Sequence, residues 1–293
     1  MPAGDRHLLL VNPSAGGGRA TRLLPQIERE LATHELEYRI VRTTGLEHAC
    51  SEAVEAAAAG DVIVVVSGDG LIGQVGGALV DSQGTLGIIP AGRGNDLARV
   101  LGIPTEITGA VDLLAGGVTR SIDVGEVNGS RFLGIASCGF DSDANRIANK
   151  ARFVRGRLVY AYAALRALAA WKPARFVLGL DGERREVTGY SVAAANSKAF
   201  GGGMFLAPDA ELDDGLLDVV TISQVGKLNY LRGLPKVFDG SHVDNDEVEV
   251  VRVAELRIEA DRPFAVYADG DHLADLPATL RVLPRALRMI VPG

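Results

Sequence analysis

The sequence predicts an α/β protein: an N-terminal, mostly parallel α/β domain followed by a mainly antiparallel β domain. Three observations carry that expectation. Short apolar runs alternate with helical stretches through roughly the first 120 residues, as in a parallel sheet wrapped by helices. Three of those runs end in glycine-rich loops. From Ile122 the texture changes to strand and turn, with Asn128-Gly129 and Asp181-Gly182 as hairpin signals.

Taken in order, "HLLLVN" is the first strand and Arg19 to Thr33 the first helix; "YRIVRT" is the second strand and Leu46 to Ala59 the second helix. "DVIVVVS" is the third strand, apolar throughout as a strand buried on both faces should be. It runs into Ser67-Gly68-Asp69-Gly70 and then into an apolar helical pattern, and "GTLGIIP" is the fourth strand. "IDVGEVNGSRFLGIAS" and "ARFVLGLDGERREVTGYSVAAAN" begin the antiparallel part. The expected division is residues 1–121 and 122–293, with the segment near 284–293 packing back onto the first domain. No internal repeat or low-complexity linker is found.

Composition narrows the class. With 30 basic and 37 acidic residues among 293, the net charge is −7, which argues against wholesale nucleic-acid binding and requires any polyanion to be held locally. Cys50 and Cys138 are the only cysteines, too few for a disulfide framework or a multi-cysteine metal cluster, so a reducing cytoplasm is expected. No apolar run approaches the ~20 residues that span a bilayer, and "MPAGDRHLLLVNPSAGGGR" lacks a signal peptide's apolar core. A soluble protein, touching a membrane at most, is the expectation.

The strand-end loops carry the chemistry. "NPSAGGGR" (12–19) follows the first strand, "SGDG" the third and "PAGRGNDLAR" (90–99) the fourth. Loops at the carboxyl ends of parallel strands converge on one edge of the sheet, where glycine turns can aim N–H groups at phosphate oxygens. Their spacing is that of neither common nucleotide fingerprint. Asp69, a lone carboxylate between two glycines, is either a helix cap in a tight turn or part of a ligand site.

These loops, together with "SGDGLIGQVGGAL", "GIIPAGRGNDLARVLGIP", "NSKAFGGGMFLAPDAELDDGLLDV" and "YADGDHL", resemble the diacylglycerol-kinase and sphingosine-kinase superfamily of lipid kinases over most of the chain. The resemblance implies an active site in the cleft between the domains, ATP and a membrane lipid as substrates, Mg2+ as the metal, and phosphorylation of a lipid hydroxyl. Diacylglycerol or a related lipid is the expected acceptor, and a long-chain base is the alternative. Ser67-Gly68-Asp69-Gly70-Leu71 is similar to the sphingosine-kinase form of a loop that bacterial relatives write Gly-Gly-Asp-Gly-Thr, and Gly73-Gln74 replaces their Asn-Glu. Arg93 stands where many relatives have threonine; a guanidinium there can also meet a phosphate.

Phosphoryl transfer needs phosphates held in line, charge neutralised and the acceptor hydroxyl deprotonated. The expected nucleotide-binding set is Asn12, Thr43, Ser67, Gly68, Asp69, Gly70, Leu71, Gly92, Arg93, Asn95 and Asp96. The N–H groups of Ser67, Gly68, Gly70 and Gly92 are the expected cradle, and the resemblance sets Asn12 and Thr43 near the nucleotide. Thr43 otherwise reads as an ordinary strand-end threonine. Asp69 and Asp96 are expected to hold magnesium directly or through water, although Asp96 also reads as a helix cap. Asp271 stands where the family has glutamate after Asp-Gly, which implies the general base. Its plain reading is a hairpin turn residue, and Asp69 is the rival base. His272 beside it reads as a surface residue.

Two further stretches complete the reading. "APDAELDDGLLDV" (207–219) is not spaced as an EF-hand, but the resemblance implies a structural magnesium site of Asp214 with the carbonyls of Glu211 and Leu216; a solvated acidic turn is the alternative. "FGGGM" (200–204) reads as a close-approach loop at the cleft. Between Arg146 and Arg175 lie eight basic residues and no acidic one, with an almost wholly apolar helix expected over Leu158 to Trp171. That segment is either core or a peripheral contact with an anionic membrane surface at the inner face. A homodimer is left open. NAD kinases and phosphofructokinases share a similar loop on a similar domain, which keeps a soluble-substrate kinase as the nearest alternative. Leu71, Arg93 and Asp271 leave open a pseudokinase that binds lipid or nucleotide without turnover.

Overall fold

The computed structural model describes residues 6–140 and 171–293. The helix expected over Leu158–Trp171, except for Trp171 itself, and all but the last few residues of the basic stretch lie outside the described residues.

The first half is doubly wound. Strands β1 (His7–Val11), β2 (Tyr38–Arg42), β3 (Val62–Ser67) and β4 (Thr85–Pro90) are parallel, in the order β2-β1-β3-β4. Helices α1 (Arg19–Thr33), α2 (Leu46–Ala58) and α3 (Asp69–Leu79) connect them, and α4 (Asp96–Val100) and α5 (Ile107–Gly116) follow β4. Alternate residues of one strand serve opposite faces. Leu8 and Leu10 pack towards α2 and α3, whereas Leu9 and Val11 pack towards α1 and α5. Both faces are therefore apolar, which is why these strands show no polar alternation. Each such buried aliphatic side chain contributes roughly 1.5–3 kcal/mol relative to exposure.

The second half is antiparallel. Its strands are β5 (Val118–Val127), β6 (Ser130–Phe132), β7 (Ile135–Gly139), β8 (Ala174–Leu180), β9 (Glu183–Ala195), β10 (Ala199–Phe200), β11 (Met204–Phe205), β12 (Leu217–Ser223), β13 (Val248–Val253), β14 (Glu255–Ala260), β15 (Ala265–Ala268), β16 (Asp271–Asp275) and β17 (Ala278–Val291). The 13-residue β9 pairs with β7, β8 and β12. An aromatic group fills this core, with Phe140 edge-on to Trp171, Tyr190 and Tyr230, and Tyr190 stacked on Tyr230 at 4.3 Å.

One strand joins the halves. Along one edge β17 pairs with β5; along the other it meets β14 through residues 278–281 and then β4, in parallel, at Arg288↔Thr85 and Met289↔Leu86. The change of partner falls at a bulge between Leu283 and Leu287, where Arg285 has φ +50. The fully buried Asp123 pins this bulge: its Oδ1 accepts the Arg285 N–H at 2.6 Å and its Oδ2 the Gly215 N–H at 2.7 Å. Ile122, where the change of texture begins, lies inside β5, opposite Leu287 of the joining strand. Among the described residues no helix is long and apolar enough to cross a membrane.

Candidate active site

The carboxyl ends of the parallel strands meet closely. A β-carbon added at Gly16 would lie 2.5 Å from the Ala91 carbonyl oxygen, so the first loop touches the fourth-strand loop. An added β-carbon at Gly68 would lie 2.9 Å from the Gly92 Cα, and one at Gly92 would lie 2.4 Å from the Gly68 Cα. Such contacts exclude a side chain at either position, and the third and fourth loops touch backbone to backbone.

Asp69 opens α3 directly after β3. Its Oδ1 accepts the Leu97 N–H at 3.2 Å, which ties α3 to the start of α4. Its Oδ2 lies 3.0 Å, and Asp96 Oδ2 3.2 Å, from a β-carbon added at Gly94, so two carboxylates close on one glycine. Asp96 Oδ1 pairs with Arg99 Nη1 at 2.7 Å, and its Oδ2 accepts the Gly202 N–H at 2.7 Å. The β10–β11 loop of the second half is fastened there, its three glycines 201–203 all at positive φ. Burial pushes the Asp69 carboxyl above its ordinary range; the Leu97 N–H opposes this, and the charge of Asp96 adds to it.

The β15–β16 turn completes the cluster. Asp269 and Gly270 have φ +51 and +96, the conformation of a two-residue hairpin turn. Asp269 Oδ2 accepts the Leu133 N–H at 2.9 Å and its Oδ1 the Gly134 N–H at 3.1 Å. The same carboxylate lies against α3, 3.0 Å from a β-carbon added at Gly73. Burial pushes the Asp269 carboxyl up to about 6, with Asp69 and Asp271 adding to the shift and the two N–H groups opposing it. Asp271 Oδ2 accepts a hydrogen bond from Gln74 Nε2 at 3.3 Å.

Ser67, Gly68, Asp69, Gly70, Gly92 and Asp96 are thus gathered at one edge, with Asp271 across α3. Others of the expected set are engaged within the fold. The Gly92 N–H donates to Asn95 Oδ1 at 2.9 Å, and the Asn95 amide returns to the Gly92 carbonyl at 3.4 Å, so this N–H and the Asn95 side chain are spent on holding the loop rather than free for a phosphate. Leu71 is 5% exposed and packs in the α2–α3 core, because its place on the first turn of α3 faces the sheet. Asn12 and Thr43 lie at the ends of β1 and β2. Asn12 Oδ1 accepts from the Ser14 N–H and hydroxyl at 3.0 and 2.8 Å, and Thr43 donates its N–H and hydroxyl to the Val11 carbonyl at 2.9 and 3.4 Å. Arg93 is exposed and has no hydrogen-bond partner among the described residues. Asp269, Gln74 and Arg99 were not in the expected set. The only sign of Asp269 in the sequence is its Asp-Gly turn, which any hairpin shares.

The acidic loop stands apart, anchored on Asp123 and β17. Asp214 Oδ1 accepts the Leu216 N–H at 2.9 Å, while its Oδ2 is buried with no hydrogen-bond partner. An orphaned carboxylate oxygen of this kind fits a cation. Glu211 is exposed, and among the described residues no group of three or more acidic, His or Cys side chains could hold a metal, so backbone carbonyls would have to complete a site here.

Comparison with known proteins decides the family. Residues 6–127 match the diacylglycerol kinase catalytic domain and residues 134–291 the YegS C-terminal NAD kinase beta sandwich-like domain. The chain is 35% identical to a diacylglycerol kinase of Mycobacterium tuberculosis (strain CDC 1551 / Oshkosh), with 97% of this chain and 94% of that protein aligned. The chain belongs to the diacylglycerol kinase family of lipid kinases. A family member from Bacillus subtilis (strain 168), also a diacylglycerol kinase, is 30% identical, with 98% and 96% covered. A crystal structure of a proposed diacylglycerol kinase from Bacillus anthracis str. Sterne superposes with a TM-score of 0.82 at 26% identity, covering 100% and 99% of the two chains.

Two outcomes follow from the geometry. Gly68→Ala forces the third and fourth loops apart and is expected to weaken ATP binding at least tenfold by calorimetry, whereas Gly70→Ala, with nothing nearer than 3.9 Å, leaves the melting temperature close to the parent's. Asp269 ionises above its unfolded value of 3.8, so its stability contribution is complete below that pH and is lost as pH rises through about 6. The unfolding free energy of Asp269→Asn, relative to the parent, should therefore climb between pH 4 and 6 and level off above, a swing of up to about 3 kcal/mol read by denaturant titration.

Proposed function

We propose that this chain transfers the γ-phosphoryl group of ATP to a hydroxyl of a membrane lipid, diacylglycerol being the first candidate, with Mg2+ as the metal. The observation that supports this most is the gathering of Asp69, Asp269 and Asp271 around the first turns of α3, beside the packed glycine loops. N–H groups of Ser67, Gly68 and Gly70 hold phosphate oxygens, and Arg93, exposed and unpartnered among the described residues, meets the phosphate charge. Asp69 and Asp96 would hold the metal directly or through water; their crowded carboxylates suit a divalent cation. When bound, Mg2+ neutralises charge on the transferring group. Asp271 takes the proton of the attacking hydroxyl. Asp214, with the carbonyls of Glu211 and Leu216, would hold a second, structural cation. The basic stretch 146–175 is the part of the sequence suited to an anionic membrane surface at the cytoplasmic face.

The raised Asp69 carboxyl favours a second reading, in which Asp69 is the base. Labelled ATP supplied with a mixed lipid extract and NAD, the product identified by mass spectrometry, should give a phosphorylated diacylglycerol; a phosphorylated long-chain base or labelled NADP would overturn the acceptor. Asp271→Asn should lower kcat by on the order of 10²- to 10⁴-fold with the KM for ATP unchanged, while Asp69→Asn should raise the Mg2+ requirement. The reverse pattern moves the base to Asp69.

A further inference from the structure

α3 does more than present Asp69 at its first residue. Over its next turn it receives the β15–β16 hairpin. Gly70 lies beneath the Asp269 carbonyl, Gly73 leaves room for the Asp269 carboxylate, and Gln74 reaches Asp271 Oδ2 at 3.3 Å. Gln74 and Asp271 are 197 residues apart in the chain, so the contact is made only when the two halves close on one another. The carboxylate beside Gln74 has acceptors alone, which leaves the amide nitrogen as the group that can face it. The carbonyl of Gln74 is itself engaged by Cys50 Sγ of α2 at 3.6 Å, so the residue is held from the helix side as well.

We propose that Gln74 is a positioning residue for Asp271: its carboxamide holds one carboxylate oxygen against α3 and so fixes where the other meets the acceptor hydroxyl. This rests on the reading of Asp271 as the base. In this chain an amide stands where bacterial relatives write glutamate, and it faces an Asp271 that is itself one methylene shorter than their glutamate. Asp269 and Asp69 already bring two carboxylates to the same turn, and a third acid at position 74 would repel Asp271, whereas an amide restrains it without adding charge. The side chain of Asp271 is also short, with two rotatable bonds, so a single hydrogen bond restricts most of its freedom.

The test is a double-mutant cycle on the full chain, with radiolabelled ATP and diacylglycerol micelles. Gln74→Met keeps the size of the side chain and removes the donor; Gln74→Glu keeps the shape and reverses the contact. Both are expected to lower kcat, Gln74→Met by about tenfold and Gln74→Glu by more, with the KM for ATP unchanged. Gln74→Met combined with Asp271→Asn should be no slower than Asp271→Asn alone, because the amide then has no carboxylate to hold. Full activity in Gln74→Glu, or losses that simply multiply in the double variant, would overturn the positioning role while leaving Asp271 as the base. An Asp271→Asn enzyme of parental kcat would overturn the base assignment, and the positioning role with it. If Gln74→Met does not fold, the Gln74→Glu comparison decides.

Discussion

The site depends on two backbones lying closer than any side chain permits. Gly68 and Gly92 pack backbone against backbone across the ends of β3 and β4, with no room for a β-carbon on either. Because the loops are pressed together, Asp69 reaches the Leu97 N–H at the start of α4, and Asn95 must turn inward to bind the Gly92 backbone. A larger residue at either glycine would not merely block a ligand; it would separate the two carboxylates that Gly94 brings together.

That crowding has an electrostatic cost, which two carboxylates register. Asp69 and Asp269 are both pushed towards their protonated forms, and in each case the peptide N–H groups that bind them do not fully offset burial. Burial is the first cause in both cases, and neighbouring carboxylates add to it.

Much of this was legible in the sequence, for identifiable reasons. The parallel strands declare themselves because both faces are buried, and the three glycine loops because their positions after strands one, three and four force them to one edge. What stayed hidden depends on partners far along the chain. Asp269-Gly270 looks like any hairpin turn, and nothing local reveals that its carboxylate accepts the Gly134 N–H, 135 residues away. Leu71 sits in a motif that suggests ligand contact, but the phase of α3 against the sheet turns it into the core. The Gly92 N–H reads as a free donor until the left-handed Asn95, at φ +53, is seen to claim it.

The shared strand β17 has a consequence for biosynthesis. The partner that covers β4 on its far side arrives late: the Arg288 guanidinium reaches the Gln83 carbonyl, 205 residues earlier. At a translation rate of ~5–20 residues per second, the parallel sheet leaves the ribosome with that edge exposed for roughly 10–40 s before its complement is made. During this interval a nascent chain presents open, apolar β-structure of the kind that associates with other strands. Until β17 is made, closure of so distant a pairing cannot begin, so the first half cannot complete its sheet as a free N-terminal domain.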